Sequence, residues 1–396
     1  MLDIWPAFPI VVFCHKTPNS QLRGILNIVA ALKCPDRVWE IDLQGIPNNL
    51  LKRVAAINVP FPALKSLKFS SESDVYDWPS QPIIRDSFLG GTTPRLRSLD
   101  FHGIPFPGPQ KLLFSATDLV TLRLERIPAA GYLSPEEMVT CLSKLTKLEE
   151  LALGFQTQYS IPYETNQTLP PAPDTVLPAL TSFRFQGVYR YLKVLITRTT
   201  FPLLDNLDVT FTSWRNVDSP PLRDFVNRIE TLDVHDRADI SFQNRIAHIT
   251  LSRQDMLATC SKIKFGVLSR HFDLQLLDLM QLCSFLPSLP TLEHLYICGH
   301  GSSPLDCQPL STDIIRWFGI LRPFSSVKKL YLSGKPALRV ALALRGLLSV
   351  ERVTQVLPAL QNITFLEYEL SGAILEAIEN LVTTLQLSGR SVSLHY

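Results

Sequence analysis

The amino-acid sequence predicts an α/β fold: a solenoid, or horseshoe, of short repeats with parallel strands on its concave face and helices on its convex face. Two observations carry that expectation. An apolar triplet spaced as L-x-x-L-x-L recurs about thirteen times, mostly at intervals of roughly 23 to 35 residues. Amphipathic stretches of helical length alternate with many of these triplets, and a strand followed by a crossover requires the next strand to be parallel.

The segment Ser134–Phe155, SPEEMVTCLSKLTKLEELALGF, holds one complete unit. Ser134 suits an N-cap, Pro135 the first helical position, and Glu136 and Glu137 the positive end of the helix dipole. Met138, Val139, Cys141, Leu142 and Leu145 form one apolar stripe. Leu148, Leu151 and Leu153 then supply the strand signature of leucine-rich repeats. Neither half buries its apolar face alone, so copies must stack.

The anchor triplets are Val38/Ile41/Leu43, Leu64/Leu67/Phe69, Leu96/Leu99/Phe101, Leu119/Leu122/Leu124, Leu148/Leu151/Leu153, Leu180/Phe183/Phe185 and Leu204/Leu207/Val209. They continue as Ile229/Leu232/Val234, Ile246/Ile249/Leu251, Cys260/Ile263/Phe265, Leu292/Leu295/Ile297, Val327/Leu330/Leu332 and Leu360/Ile363/Phe365. The units near 246 and 260 are too crowded for a helix, which predicts strand-only repeats or a local break there. Further helices are expected at 21–32, 188–198, 222–228, 274–285, 312–321, 337–356 and 374–384, with Asp273 and Thr312 as caps. The residues at about 156–178 are rich in proline and polar side chains and read as a flexible insertion within one domain spanning 1–396. At the strand exits the common backbone-bonding Asn is replaced by Ile46, Ile104, Ile127 and Val188, with Pro47, Pro105 and Pro128 after the first three. An irregular, unevenly curved arc is expected.

Composition bounds the function. With 46% hydrophobic and 19% charged residues, 38 basic against 36 acidic, the chain is globular and carries no field that recruits nucleic acid or a membrane surface. The seven cysteines are odd in number and lack C-x-x-C spacing, which reads as reduced thiols of an intracellular, cytoplasmic or nuclear, protein. The first fifteen residues contain Asp3, Pro6 and Pro9 and read as an opening strand rather than a signal peptide. No apolar run reaches membrane-spanning length, so neither a bilayer nor glycosylation at Asn166 or Asn362 is expected.

Residues flanking the inward anchors project from the concave face. The middle column reads Asp42, Lys68, Asp100, Arg123, Ala152, Arg184, Asp208, Asp233, Thr250, Lys264, Tyr296, Tyr331 and Thr364, and side columns add His102, Glu125, His235, Lys262, His294 and Lys329. Aromatic side chains beside charges suit a protein partner. The candidate binding residues are therefore Asp100, Arg123, Arg184, Asp208, Asp233, His235, His294, Tyr296 and Tyr331. Catalytic and metal readings are weaker. Asp233 and His235 share a face but no nucleophile is placed with them, and Cys298, His300 and Cys307 lack a fourth ligand. Gly299–Gly301 lacks the strand-turn-helix context of a nucleotide site. No enzyme activity, cofactor or metal is expected; the alternative is a hydrolase or other enzyme on a repeat scaffold.

Several phrases are more specific than a bare leucine pattern: LDIWPAFPIVV, RVWEIDLQGIP, VPFPALKSLKFSS, DSFLGGTTPRLRSLDFHGIPFPG, FSATDLVTLRLERIP, VLPALTSFRFQGV, PLLDNLDVTF and VLPALQNITFLE. In these the chain resembles the C-terminal repeat region of the fungal F-box-like proteins. That resemblance implies substrate reception: the repeats hold a target, and an F-box docks a Skp-type adaptor of a cullin-based ubiquitin ligase. The F-box is expected ahead of the WPAFP segment, and 1–396 is expected to contain none.

Overall fold

A computed structural model describes residues 8–15, 22–71, 83–106, 110–156, 174–213, 220–229, 235–253, 261–269, 271–287, 289–299, 311–334, 336–348, 356–366, 372–387 and 389–395. The chain forms two compact units, Met1–Leu204 and Asp205–Tyr396. Each is α/β, with a mostly parallel sheet and helices.

In the first unit, β1 (Ile10–His15), β2 (Val38–Ile46), β3 (Ser66–Ser71), β4 (Ser98–His102), β5 (Thr121–Ile127) and β6 (Glu150–Phe155) pair in chain order, all parallel. β7 (Thr175–Val176) leaves the series, β8 (Ser182–Val188) pairs with β6, and β9 (Thr199–Thr200) pairs with β7 in a small separate sheet. Between them run α1 (Leu22–Ala31), α2 (Asn48–Ala55), α3 (Gln110–Ser115), α4 (Pro135–Leu142) and α5 (Tyr189–Arg198). Of the expected insertion at about 156–178, residues 157–173 lie outside the described residues, and β7 occupies its end.

The triplets set the register. Leu67, Leu99, Leu122, Leu151 and Phe183 are successive partners across five strands, as are Phe69, Phe101, Leu124, Leu153 and Phe185, and all ten are buried. The first triplet position enters through a repeated turn: Leu64, Leu96, Leu119, Leu148 and Leu180 each donate their amide to the carbonyl three residues back. Adjacent strands are also braced there, because Arg97, Val120, Glu149 and Thr181 each donate to the preceding repeat. The expected cap of α4 forms in full: Glu137 N donates to Ser134 Oγ at 3.2 Å and Ser134 N donates to Glu137 Oε2 at 2.9 Å.

The second unit begins with β10 (Asn206–Ser213) and α6 (Pro220–Asn227). It continues through β11 (Arg237–Phe242), β12 (Ile246–Ser252), β13 (Lys262–Leu268) and α7 (Phe272–Cys283) to β14 (His294–Gly299), α8 (Ser311–Leu321), β15 (Lys329–Leu332), α9 (Pro336–Leu348), β16 (Asn362–Phe365), α10 (Gly372–Leu387) and β17 (Ser393–His395). Its strand order is β10-β13-β12-β11-β14-β15-β16-β17. Two features correct the expectation of an all-parallel sheet. β12 is antiparallel to both neighbours, and the repeat expected at Ile229/Leu232/Val234 is succeeded by β11, whose Ala238, Ile240 and Phe242 are buried. The crowding explains both: a two-residue loop at Asn244–Arg245, closed by Gln243 N to Ile246 O at 2.8 Å, leaves no room for a crossover helix, so the chain turns straight back. Leu232, Val234 and Cys260 lie outside the described residues.

Most helices follow the expected stripes within a few residues; α9 ends at Leu348 rather than at 356, with 349–355 outside the described residues, and α2 and α3 add two that were not expected. Asp273 is not the cap of α7; His271 takes that position, and Asp273 accepts a hydrogen bond from Arg339 Nη1 at 3.1 Å. Thr312 lies inside α8. Among the described residues no helix is long and apolar enough to cross a membrane. Cys141 and Cys283 are buried free thiols, and burial pushes the Cys141 thiol up to about 12.

The exits of β2, β4 and β5 share one device. Gly45, Gly103 and Arg126 precede Ile46, Ile104 and Ile127 and have φ of 62°, 69° and 50°. The pairing register shifts between Leu43 and Ile46 and again between Leu124 and Ile127. The left-handed residue turns each isoleucine inward, where it is buried, and proline follows. Arg126 does this with a side chain that disfavours the conformation. Arg126→Gly is expected to raise stability by about 0.5–1 kcal/mol, and Gly103→Ala, whose added Cβ meets nothing within 4 Å, to lower it by about 1 kcal/mol. Urea unfolding checks both, and an unchanged midpoint for the pair would refute the account of these exits.

Candidate functional site

Because side chains alternate along a strand, each buried row of anchors implies a row on the opposite side of the sheet. In the first unit the middle row runs Asp42, Lys68, Asp100, Arg123, Ala152, Arg184 in register. It is an ionic ladder. Lys68 Nζ lies 4.0 Å from both Glu40 and Asp42, and His15 Nε2 lies 3.6 Å from Asp42. Arg123 bonds Glu150 in a bidentate fork, Nε at 2.9 Å and Nη2 at 2.8 Å, and its Nη1 lies 3.8 Å from Asp100. Arg184 Nη1 donates to Glu125 Oε1 at 3.1 Å, and His102 Nδ1 lies 3.7 Å from the other Glu125 oxygen.

Two carboxyls of this ladder shift in opposite directions. His102 and Arg184 hold Glu125 down at about 2 despite its partial burial. Asp100 is pushed up by burial, which outweighs the opposing Arg123 charge. The candidates Asp100, Arg123 and Arg184 thus sit on one solvent-side surface. Ala152 and Thr250 do not add to it: each is buried between longer neighbours in register, Arg123 and Arg184 around the first, Asp239 and Lys264 around the second.

In the second unit the corresponding row runs Asp208, Lys264, Thr250, Asp239, Tyr296, Tyr331, Thr364, His395. Lys264 Nζ lies 3.8 Å from Asp208. Further along, Tyr296 and Tyr331 stack with centroids 4.1 Å apart and planes within 4°, and the Arg237 guanidinium lies 3.9 Å over the other face of Tyr296. Arg237 is held there by Asp239, with Nε at 2.9 Å and Nη2 at 2.7 Å. The His294 ring stacks diagonally on Tyr331 at 6.0 Å, with Nδ1 3.4 Å from the Tyr331 hydroxyl. Burial and then Lys329 lower the His294 pKa. His294, Tyr296 and Tyr331 are therefore brought together, while Asp208 is separated from Tyr296 by Lys264, Thr250 and Asp239 in the row.

Two candidates fall elsewhere. Asp233 lies outside the described residues, so its pairing with His235 does too. His235 is a correction: it is 1% exposed rather than on the solvent face, with Nε2 3.2 Å from the Ser261 carbonyl and 3.1 Å from the Ser261 hydroxyl. Thr291 Oγ1 donates to its carbonyl at 2.8 Å. This cluster ties the chain before β11 to the start of β13 and the turn before β14, and so explains the burial. The serine beside His235 is the neighbour the sequence reading lacked, but a ring covered to this extent offers no approach to a substrate. Sequence reasoning also missed Arg237 and Asp239; the signal was the polar-apolar alternation in Arg237–Phe242, without the leucines being sought.

His300, Gly301 and Cys307 lie outside the described residues, and among the described residues no three His, Cys, Asp or Glu side chains cluster as metal ligands. A groove of about 390 Å³ beside α1 and α2 is lined by Val29, Leu32, Val54, Ile57 and Val59 with Lys33 and Arg53, without convergent carboxylate or histidine groups. A scan against protein-family models finds no match to this chain, and a search of the curated proteins finds none either.

The depressed Glu125 pKa makes a pH signature. Its stabilising contribution is complete above about 4.5, the ordinary value, and is lost as pH falls through that window to about 2. Glu125→Gln is expected to melt lower than wild type at pH 6 and to lose less on acidification to pH 3. Parallel acid-induced shifts in melting temperature for the two proteins would refute the pairing.

Proposed function

We propose that the chain is a protein-binding receptor module. In this reading its repeats wind as a leucine-rich-repeat solenoid of about thirteen irregular units, strands lining the concave face, helices the convex face, and the solvent-side rows receive a partner. The observation that carries the reading is the Arg237–Tyr296–Tyr331 stack. Tyrosine and arginine are the side chains that most often supply binding energy at protein interfaces, and here they stand together on the solvent side of the strands. The core on the opposite side is complete without them, since Leu295, Ile297, Leu330 and Leu332 fill it.

The resemblance to fungal F-box-like receptors extends the proposal. A target held on the strand face would be presented to a cullin-based ubiquitin ligase, through a Skp-type adaptor where an F-box accompanies the repeats. No catalytic step is assigned to the chain itself.

The test is quantitative affinity capture from a fungal extract with wild type and a Tyr296→Ala/Tyr331→Ala variant. Both tyrosines point away from the core, so the variant is expected to keep the wild-type circular dichroism. Proteins recovered by wild type are expected to fall at least about tenfold with the variant, consistent with the loss of two interface aromatic side chains. Equal recovery of the same proteins by both would overturn the reading.

A further inference from the structure

We propose that the Tyr331 end of this stack, with Lys329 beside it, receives an extended partner segment that carries an aromatic side chain next to a carboxylate. The inference rests on the protein-binding reading above and adds the chemistry of the partner.

Among the described residues the stack is covered at one end and uncovered at the other. Arg237 covers the outer face of Tyr296, and Tyr296 covers one face of Tyr331. His294 approaches Tyr331 from β14, the same side as Tyr296. Across the remaining face lies β16, whose residue in register with Tyr331 is Thr364, too short to cover a ring. Among the described residues no ring or cation lies against that face. The next residue in the row, His395, leans toward Asn362, with its Nε2 3.1 Å from Asn362 Nδ2. A planar group therefore has a partly exposed phenol ring to stack on, and aromatic pairs of this kind add binding energy beyond the area they cover.

The charges beside this face select what accompanies the planar group. Lys329 is exposed and in register between His294 and Asn362, and no carboxylate pairs with it among the described residues. Of the nearby acids, Asp239 is held by Arg237, and Glu293 by Lys328 at 2.5 Å. A partner carboxylate fits Lys329, whereas a partner cation would meet an ammonium there. Single-stranded nucleic acid also offers planar groups beside anions, but it needs a groove of several cations along its backbone. The row from Arg237 to Asn362 offers one unpaired ammonium, which favours a protein segment.

The test uses the full chain and an array of immobilised nonapeptides in which phenylalanine or tyrosine stands one to four residues from aspartate, with aromatic-only and aspartate-only controls. Signal is expected only where both groups are present, and titration in solution of the best peptide should weaken at least about fivefold with Lys329→Glu and with Tyr331→Ala. Binding of the controls at equal strength, no binding to the array, or tighter binding of a single-stranded RNA hexamer at about 150 mM salt would overturn the proposal. Capture from extract separates it from the reading it rests on. If Lys329→Glu leaves recovery unchanged while Tyr296→Ala/Tyr331→Ala abolishes it, only the partner chemistry falls; if neither variant changes recovery, the protein-binding reading falls as well.

Discussion

Every feature of this protein depends on one constraint: a strand carrying three inward apolar residues per repeat cannot hide them unless a neighbour presents the same three at the same height. The register satisfies that demand directly, with Leu67, Leu99, Leu122, Leu151 and Phe183 as successive partners and every one of them at most 1% exposed. A one-residue slip in any pair would carry its leucines to the solvent side and its charges into the core, so the pairing is strongly specified. The same registration that builds the core also fixes the solvent-side rows. Asp100, Arg123 and Glu150 meet because Leu99, Leu122 and Leu151 had to.

That dependence explains what was legible in the sequence. Apolar spacing reports which face a residue takes, and so the triplets, the α4 cap and most members of the ionic ladder followed from it. Spacing does not report strand direction. The triplet Ile246/Ile249/Leu251 has the same periodicity as its neighbours, yet β12 runs opposite to them because the loop before it holds two residues. Nor does it find a strand whose inward residues begin with alanine, as in β11, where Ala238 meets Leu251 and Leu295 and larger side chains supply the volume. Short helices were lost for a related reason: α2 has only Leu50, Leu51 and Val54 to mark its buried face, too few to define a period. His235 was misplaced because it lies ahead of β11, in the segment that enters the strand, where strand alternation assigns no face.

The left-handed exits show the same logic at a finer scale. A strand that ended without turning would leave Ile46, Ile104 and Ile127 outside the core. One residue with positive φ before each rotates the chain inward, and the proline after it removes an amide that would otherwise need a partner. Glycine is the easy solution, and β5 shows that the packing demand overrides local preference when arginine occupies the position.

The two solvent-side surfaces differ in what contact with another molecule would cost. On the first unit every charge of the ladder already has a counter-charge, and the Arg123–Glu150 fork and the Glu125 cluster satisfy their hydrogen bonds internally. A partner covering them would strip water from paired ions and gain little, since the pairs exist without it; such a surface contributes register and specificity more than affinity. On the second unit Arg237 and Tyr296 are preorganised by Asp239 and by each other, so Tyr331 presents a ring face whose orientation is fixed before any contact is made. Little side-chain entropy remains to be lost there, and no ion pair has to be broken. In the proposed receptor reading, the aromatic surface of the second unit is therefore where contact would yield net free energy, and the ionic surface of the first unit is where a wrong partner would be refused.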